Sequence, residues 1–260
     1  MTVKELIDVY NPTAPLDQAS TIPSSWYTDK RIFQLEQETV FSNSWQVAAR
    51  LDQLNKPGDY VTTDIAGEPI VIVRGDDNQI RGFFNVCSHH AAAVMNEPEG
   101  CAVQLRCPYH GWTYSLAGEL KGTPDFNDVC DFDRSENGLR PIEISVWEKW
   151  IFARIDGGQR PPLNESLVFE ARLNEEIAEL NLAGLHWFER RRYVLNCNWK
   201  VFIDNYLDGG YHVPHLHKGL DSVLDYRQYT VENGECFCLQ SSPMVSRDDE
   251  VGAVRGGQRA

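Results

Sequence analysis

The sequence predicts an α+β protein, in which an all-β domain is followed by the first part of a domain that combines helices with an antiparallel sheet. Short β-branched runs separated by turn residues fill the region from 45 to 160. Apolar patterns predict a helix at 164–182, a strand at 185–195 and a second helix at 198–211. Two strand-like runs follow at 228–232 and 235–239, and Asn233-Gly234 predicts the turn between them. We therefore expect an N-terminal extension with a helix at 1–44, the all-β domain at 45–160 and the partial second domain at 161–260.

The first 160 residues alternate between short apolar runs and turn residues. Residues 1–25 are rich in Pro, Ser and Thr, which predicts an extended lead-in, and Thr28 and Asp29 then precede an amphipathic helix that ends near Phe41. Turn signals at Pro57-Gly58 and at 75–78 separate the strands that follow. Strands are predicted at 46–49, 61–65, 70–73, 80–84, 103–106, 112–115, 142–147 and 150–155.

Two mixed pairs of cysteine and histidine stand out in this region. Cys87 and His89 form one Cys-x-His pair, and Cys107 and His110 form a Cys-x-x-His pair. Each pair follows a predicted strand, so both are expected at the tips of β-hairpins. Two thiolates on one iron and two imidazoles on the other define a Rieske [2Fe–2S] centre, in which the imidazoles raise the reduction potential.

Zinc is the main alternative for the same four ligands, since zinc also accepts two thiolates and two imidazoles. Zinc ribbons and fingers usually begin with two cysteines in one short pair, whereas each pair here combines Cys with His. Two unrelated Cys and His pairs in a reduced core are the remaining alternative. The Gly111-Trp112 that follows the second pair favours a cluster loop, because it offers a tight turn and then a large apolar shield.

A second group of polar residues lies near the end of the helix predicted at 198–211. Asp204, Asp208 and His212 are spaced by four and fall near one helix face. Pro214 stops regular helix, and His217 follows it, so two imidazoles can meet at one metal if the chain bends. Two histidines with one carboxylate and open positions are the arrangement that non-haem Fe(II) uses with O₂.

Composition and charge exclude several function classes. The formal net charge of −14 over 260 residues argues against nucleic-acid binding and is compatible with a cationic substrate. No apolar run has the length of ~18 residues that a membrane span needs. The first 16 residues resemble neither a signal peptide nor a transit peptide, which makes a cytoplasmic location the default expectation.

The motifs at 85–89 and 107–112 resemble the cluster loops of Rieske non-haem iron oxygenases. The stretch 197–217 resembles the catalytic stretch of the α subunits of these enzymes, and it is especially similar to the choline monooxygenase branch and its quaternary-ammonium relatives. The resemblance covers roughly residues 25–240. It implies an all-β Rieske domain followed by an α+β catalytic domain with an antiparallel sheet.

The resemblance also assigns roles to residues of the second group. It implies that His212 and His217 are ligands of a mononuclear non-haem Fe(II) and that Asn205 lies beside this iron. It implies that Asp208 links the iron site to a Rieske histidine of a neighbouring subunit. His215 then has no ligand role, although the spacing alone leaves it open.

The implied function is that of a terminal oxygenase which receives electrons from a reductase or ferredoxin and uses O₂ to oxidise choline to betaine aldehyde. Oxidative N-demethylation of betaine or carnitine-like compounds and hydroxylation of an aromatic ring are the alternatives within this class. From another class, the alternative is a Rieske electron-transfer protein with a vestigial second domain. The resemblance implies a homo-oligomer, a trimer. The net charge and the absence of a long apolar run predict that it binds neither nucleic acid nor membrane.

The sequence departs from the family pattern at two places. His90 stands where the family commonly has Arg after the first ligand pair. The third iron ligand of the family is an Asp on a far downstream helix, and no aspartate of this chain matches its position. We therefore expect the sequence to correspond to the N-terminal two-thirds of an oxygenase subunit, and we expect it to hold the mononuclear iron weakly.

Overall fold

The computed structural model describes residues 1–126, 129–156, 181–208, 210–233 and 238–245. The chain divides into two compact units, one of residues 30–189 and the other of residues 1–29 together with 190–260. The predicted helix at 164–182 falls almost wholly outside the described residues.

The unit of residues 30–189 is built mainly from antiparallel strands. These are β1 Gln46–Arg50, β2 Asp59–Ile65, β3 Glu68–Arg74, β4 Ile80–Phe84, β5 Glu99–Cys101, β6 Leu105–Arg106, β7 Thr113–Tyr114, β8 Leu120–Gly122, β9 Pro141–Trp147 and β10 Trp150–Arg154. Seven strands form one sheet in the order β1-β10-β9-β4-β3-β2-β5, and β6, β7 and β8 form a second. All the strand pairs described in this unit are antiparallel, and the all-β architecture agrees with the prediction for this domain.

Strand β3 lies inside the larger sheet, between β4 and β2, and is buried on both faces. Because side chains alternate between faces, Val71 and Val73 enter one apolar cluster while Ile70 and Ile72 enter another. All four side chains are fully buried. Full burial of such a side chain contributes about 1.5–3 kcal/mol relative to exposure. The buried group of Val71 and Val73 also contains Cys87 and Cys107, so the loops that carry the two Cys-His pairs pack directly on the core.

The helix expected before the sheet is present, but it changes its winding along its length. Helix α3 covers Lys30–Glu36, and a π-helical turn, Gln37–Phe41, continues it. Ile32 is the apolar residue that this segment buries. Ser42 ends the segment, and its hydroxyl donates to the carbonyl of Glu38.

The other unit combines short helices with one hairpin. Its elements are α1 Val3–Asp8, α2 Ser25–Thr28, α4 Trp199–Leu207, α5 Val213–Leu216, α6 Lys218–Asp221, β11 Thr230–Asn233 and β12 Cys238–Ser241. Helix α4 begins at an N-cap, where the Asn198 side chain accepts from the amide of Lys200 at 3.1 Å. Among the described helices, none has the length and apolar character of a membrane span.

Two details of the predicted second domain are wrong. A strand was expected at 185–195, but these residues form no strand; Phe188, Tyr193 and Val194 are more than three-quarters exposed. An apolar run becomes a strand only beside a neighbouring strand, and none of the described strands pairs with it. The tight turn expected at Asn233-Gly234 is also wrong, since Asn233 is still paired with Cys238.

Candidate functional site

Both Cys-His pairs lie on loops that share one turn geometry. In the first loop the amide of Cys87 donates to the carbonyl of Ala92 at 2.8 Å, and the amide of Ala91 donates back to the carbonyl of Cys87 at 2.9 Å. In the second loop Cys107 makes the same two bonds, with Trp112 at 2.8 Å and Gly111 at 3.0 Å. Each ligand cysteine is therefore held by a closed backbone ring.

The residue four positions after each cysteine has a left-handed backbone. Gly111 has a φ of 73° and Ala91 a φ of 57°. Glycine adopts this conformation without strain, whereas alanine does so at a cost of about 1–2 kcal/mol. The second loop is therefore relaxed, and the first retains strain at Ala91.

The two thiols are buried in the apolar core of the domain. Cys87 and Cys107 are 3% and 2% exposed. Burial raises the pKa of the Cys107 thiol, and a hydrogen bond with Cys87 raises it further. The buried Cys107 thiol therefore resists ionisation unless a cation lies beside it, so this site is suited to metal ions and is poorly suited to a free nucleophile.

The imidazoles lie together at the surface end of the same loops. One ring nitrogen from each of His89, His90 and His110 lies within 4.8 Å of the others. The ring of His89 stacks on Trp112 at 4.5 Å between centroids and 4° between planes. The pKa of His89 is below its ordinary value because burial disfavours its charged form, and the neighbouring His90 and His110 add to this. A neutral imidazole is the form that binds metal.

The donors fit a [2Fe–2S] cluster of the Rieske type. The Nδ1 atom of His89 is buried and has no hydrogen-bond partner, which is costly unless a metal ion uses its lone pair. Two buried thiols on one side and two clustered imidazoles, His89 and His110, on the other match the unequal ligand sets of the two irons.

His90 lies beside the other two histidines at the surface. The Cys-His motifs alone did not predict that it lies this close to His89 and His110. Its ring centroid lies 4.0 Å from that of His89 and 5.3 Å from that of His110, and its side chain is exposed. It therefore lies on the solvent side of the two imidazoles, where Tyr109 also packs against His110.

A hydrogen-bond network beneath the cluster loops was not predicted from the sequence. The buried hydroxyl of Tyr114 lies 3.2 Å from the Cys87 thiol and 2.9 Å from the Ser88 hydroxyl. Burial raises the pKa of Tyr114 to about 12, so the phenol keeps its proton near neutral pH. Because Tyr114 is distant in sequence from Cys87 and Ser88, no local sequence pattern predicts that these side chains meet, and the contact becomes visible only in the folded structure.

The second group of predicted site residues gathers after helix α4. The helix ends at Leu207, and Asp208 is its C-terminal cap. One carboxylate oxygen of Asp208 accepts from the amide of Gly210 at 2.9 Å, and the other lies 2.5 Å from Nδ1 of His212. The His212 and His217 rings are 5.1 Å apart between centroids. The prediction that Pro214 stops regular helix is wrong, because Pro214 lies in the first turn of α5 (Val213–Leu216), where a missing amide is tolerated. His212 and His217 cap the two ends of this short helix.

The turn between Asp208 and His212 requires glycine. Gly210 has a φ of 70°, and a Cβ atom there would lie 3.0 Å from the ring of Tyr229. Both the backbone conformation and the close approach exclude a side chain at this position. Gly210 therefore fixes the distance between the carboxylate and its imidazole.

The imidazoles border a cavity of about 560 Å³. Aromatic and amide side chains supply much of its wall, and the lining includes Phe202, Asn205, Tyr206, His212, His217, Tyr229 and Gln240. A proton on Nδ1 of His212, donated to Asp208, leaves Nε2 free to bind a metal. Two imidazoles at such a cavity fit part of a non-haem iron site.

Two other residues that the sequence offered as candidate site residues lie away from the pair His212 and His217. His215 is exposed and packs against Tyr211, at 6.0 Å between ring centroids. Asp204 accepts a hydrogen bond from Tyr27, which raises the pKa of that phenol to about 12. In the part of the chain that the structure describes, no third thiol, imidazole or carboxylate forms a metal-binding cluster with His212 and His217.

Comparison with known proteins gives two family matches in chain order. The Rieske [2Fe–2S] domain matches residues 44–133, and the catalytic domain of the ring-hydroxylating α subunit matches residues 182–255. Chloroplastic choline monooxygenase of Arabidopsis thaliana is 37% identical and aligns with 99% of this chain and 63% of its own length. The carnitine monooxygenase oxygenase subunit of Acinetobacter pittii is 34% identical over 86% of this chain and 60% of its own length.

Solved structures give a consistent result. The quaternary ammonium Rieske monooxygenase CntA in complex with L-carnitine superposes with a TM-score of 0.76 at 32% identity, covering 86% of this chain and 63% of CntA. Naphthalene 1,2-dioxygenase from Rhodococcus sp. superposes with a TM-score of 0.69 at 28% identity, covering 84% of this chain and 48% of the dioxygenase. The chain thus spans less than two thirds of the length of these relatives.

Proposed function

The chain belongs to the family of Rieske oxygenase α subunits, and from this premise we propose that it acts as the terminal oxygenase of a monooxygenase system for small quaternary ammonium compounds. The observation that carries the proposal is the pair His212 and His217, which border a cavity in the catalytic part of the same chain that bears the Cys-His loops. An electron carrier alone has no use for this second site.

Four side chains would hold the cluster and two would hold the mononuclear iron. Cys87, His89, Cys107 and His110 are the proposed cluster ligands, and His212 and His217 are the proposed iron ligands. When bound, the cluster supplies single electrons at a potential raised by its imidazoles, and the iron supplies open positions for O₂. We propose that the remaining iron ligand comes from outside the described residues.

Asp208 has a positioning role in this proposal. Its carboxylate accepts the Nδ1 proton of His212, which holds the ring in the tautomer whose Nε2 is free. The Gly210 amide keeps the carboxylate in place from the other side. By family resemblance, Asp208 also faces a Rieske histidine of a neighbouring subunit, so we propose a homo-oligomer, a trimer, served by a reductase or ferredoxin.

The cavity wall supports a quaternary ammonium substrate. Phe202, Tyr206 and Tyr229 contribute aromatic rings, and a cation over such a ring gains about 0.5–2 kcal/mol. A net charge of −14 also attracts a cation toward the protein. Asn205 and Gln240 add amide groups that can hydrogen-bond a hydroxyl.

The same wall favours choline over carnitine. Carnitine carries a carboxylate, which is normally paired with Lys or Arg when it is bound. Among the described residues that line the cavity there is no Lys or Arg. Choline has a hydroxyl in place of the carboxylate, and the amides of Asn205 and Gln240 suit it. We therefore propose hydroxylation at the carbinol carbon of choline, which gives betaine aldehyde.

A single-turnover experiment tests this function without depending on a high rate. The protein is loaded with iron and reduced chemically, and it is then mixed with O₂ and with choline, betaine or carnitine in separate reactions. We expect betaine aldehyde from choline, quantified after trapping as a hydrazone, and little product from carnitine. Formaldehyde release would indicate N-demethylation instead.

Matched variants separate the oxygenase from a simple electron carrier. His212→Ala should abolish product while the cluster spectrum remains, because its ring belongs to the iron site alone. His215→Ala should behave like the unchanged protein, because its ring lies against Tyr211. An unchanged protein that keeps its cluster and forms no product from any substrate would favour the alternative of an electron-transfer protein.

A further inference from the structure

Tyr229 connects the turn that carries His212 with the strand that carries Gln240. Its ring packs on Gly210 in that turn, where an added Cβ atom would lie 3.0 Å from the ring. Its hydroxyl donates a hydrogen bond to Oε1 of Gln240 in β12. Both side chains line the cavity of about 560 Å³ that the two imidazoles border. Tyr229 and Gln240 therefore belong to the wall that a substrate in this cavity would contact.

The hydrogen bond from Tyr229 fixes how the side-chain amide of Gln240 is turned. Oε1 faces the phenol, and Nε2 lies 3.7 Å from the sulfur of Cys238. Thiol sulfur is a weak acceptor, and this contact uses at most one of the two N–H groups on Nε2. The second N–H group has no partner among the residues that the structure describes. Gln240 therefore offers a hydrogen-bond donor to an oxygen atom in the cavity.

The phenol of Tyr229 holds the amide in this orientation near neutral pH. Burial raises the pKa of Tyr229, and the nearby Tyr206 and Asp208 raise it further, so the hydroxyl keeps its proton and continues to donate. Asn205 is the other amide of the cavity, and its side chain makes no hydrogen bond within the described part of the chain. A side chain that is already held in one orientation loses less entropy on binding, which makes Gln240 the stronger anchor.

We propose that Gln240 determines specificity by donating a hydrogen bond to the hydroxyl oxygen of choline, and that Tyr229 is a positioning residue that keeps the amide turned toward this oxygen. The inference rests on the proposed function, in which the cavity takes a quaternary ammonium substrate. In this arrangement the rings of Phe202 and Tyr206 hold the ammonium group, and Gln240 holds the hydroxyl. Two anchors of different chemistry then fix the direction in which choline lies.

The direction of choline decides which of its carbon atoms is oxidised. Oxidation at either carbon consumes one O₂, two electrons from the reductase and two protons, and it releases one water. At the carbinol carbon the product is a geminal diol, which loses water to give betaine aldehyde. At an N-methyl carbon the product is an N-hydroxymethyl group, whose C–N bond breaks to give formaldehyde, a proton and a tertiary amine. Loss of the hydroxyl anchor should therefore increase the share of formaldehyde.

Binding measured in the absence of O₂ tests the anchor without turnover. Isothermal titration calorimetry compares choline with ethyltrimethylammonium, which has the same ammonium group and lacks the hydroxyl. The unchanged protein should bind choline about fivefold more tightly, the effect of one net hydrogen bond. Gln240→Leu should abolish this preference. Tyr229→Phe should reduce it to about twofold, because the ring remains and only the orienting hydroxyl is lost.

Two matched variants and one ligand serve as controls. Gln228→Leu changes a glutamine whose amide bonds to Asp225 at 2.6 Å, and Tyr226→Phe removes a hydroxyl from the ring beside Tyr229. Neither position is among the described residues that line the cavity, so both variants should keep the preference for choline. Unchanged binding of ethyltrimethylammonium shows that the cavity is intact. A preference that survives in Gln240→Leu, or that is undiminished in Tyr229→Phe, overturns the inference.

The product ratio in the single-turnover reaction is the second measurement. Gln240→Leu should raise the ratio of formaldehyde to betaine aldehyde about fivefold, whereas a merely structural role would lower both yields and leave their ratio unchanged. If the preference for choline depends on Gln240 and Tyr229 but no product forms, the inference stands and the proposed function is wrong. If products form and neither the preference nor the ratio responds to the two variants, the proposed function stands and the inference is wrong.

Discussion

Replacing Asp208 with asparagine should damage the iron site at least as much as replacing it with alanine. The reason lies in the two partners of the carboxylate. The Gly210 amide needs an acceptor, so an asparagine at position 208 would keep its carbonyl oxygen there. Its NH₂ group would then face Nδ1 of His212, at the place where the carboxylate oxygen now lies 2.5 Å away.

This arrangement forces the wrong tautomer on His212. An NH₂ donor at Nδ1 requires a lone pair on that nitrogen, which moves the ring proton to Nε2 and blocks the nitrogen proposed for iron. Loss of a carboxylate partner normally weakens metal binding roughly 10- to 100-fold, about 1.4–2.7 kcal/mol. Asp208→Ala should lower the iron affinity only by this factor, whereas Asp208→Asn should lower it further because it also changes the tautomer of His212.

Anaerobic titration with Fe(II), or with Co(II) followed by its absorption, measures the affinity directly. Asp204→Asn is the matched control, since it makes the same charge change one helical turn earlier and its carboxylate bonds to Tyr27. We expect the control to bind like the unchanged protein. Affinity in Asp208→Asn that equals the unchanged protein, or clearly exceeds that of Asp208→Ala, would refute the tautomer argument.

Three further predictions concern the metal content and the ligand loops. Purified protein should hold about two irons tightly, the number in one [2Fe–2S] cluster, with a Rieske-type resonance in the reduced state; stoichiometric zinc without sulfide would contradict this. His90→Ala should keep that resonance and His89→Ala should lose it, so loss in His90→Ala alone would reverse the ligand assignment. Gly111→Ala should lower the free energy of unfolding by about 1–2 kcal/mol, measured by urea unfolding followed by Trp fluorescence. Ala91→Gly should change it by less than about 1 kcal/mol, because the relief of backbone strain is offset by the greater entropy of glycine in the unfolded chain. If Gly111→Ala left the free energy of unfolding unchanged, the inferred difference in backbone strain between the two loops would be wrong.

Eight of the ten strands of the first domain were predicted because local signals define them, whereas β5 and β8, of three residues each, were missed. The turn signals at 57–58 and 75–78 separate β-branched runs, and β2, β3 and β4 lie where these runs lie. The mixed Cys-His pairs likewise predicted where the cluster loops leave the sheet. In these segments the pattern in sequence and the packing in space agree.

The remaining features depend on contacts between distant parts of the chain. The network of Tyr114, Ser88 and Cys87 joins residues 26 and 27 positions apart, so no local pattern predicts it. The turn predicted at Asn233-Gly234 is wrong because the prediction relied on a dipeptide that favours tight turns. The register of the strand pair, in which Asn233 pairs with Cys238, cannot be read from that dipeptide. The strand predicted at 185–195 needed a neighbour, and apolar periodicity alone does not supply one.

The segment 185–195 also affects how the protein should be handled in the laboratory. Phe188 and Val194 are 89% and 83% exposed, and Tyr193 is 77% exposed, so this short stretch presents apolar surface through which molecules can associate. Extended chain of this composition can pair with the same stretch of another molecule. Scattering and ultracentrifugation data should therefore be recorded over a dilution series, because association through this stretch would imitate a genuine quaternary structure at high concentration.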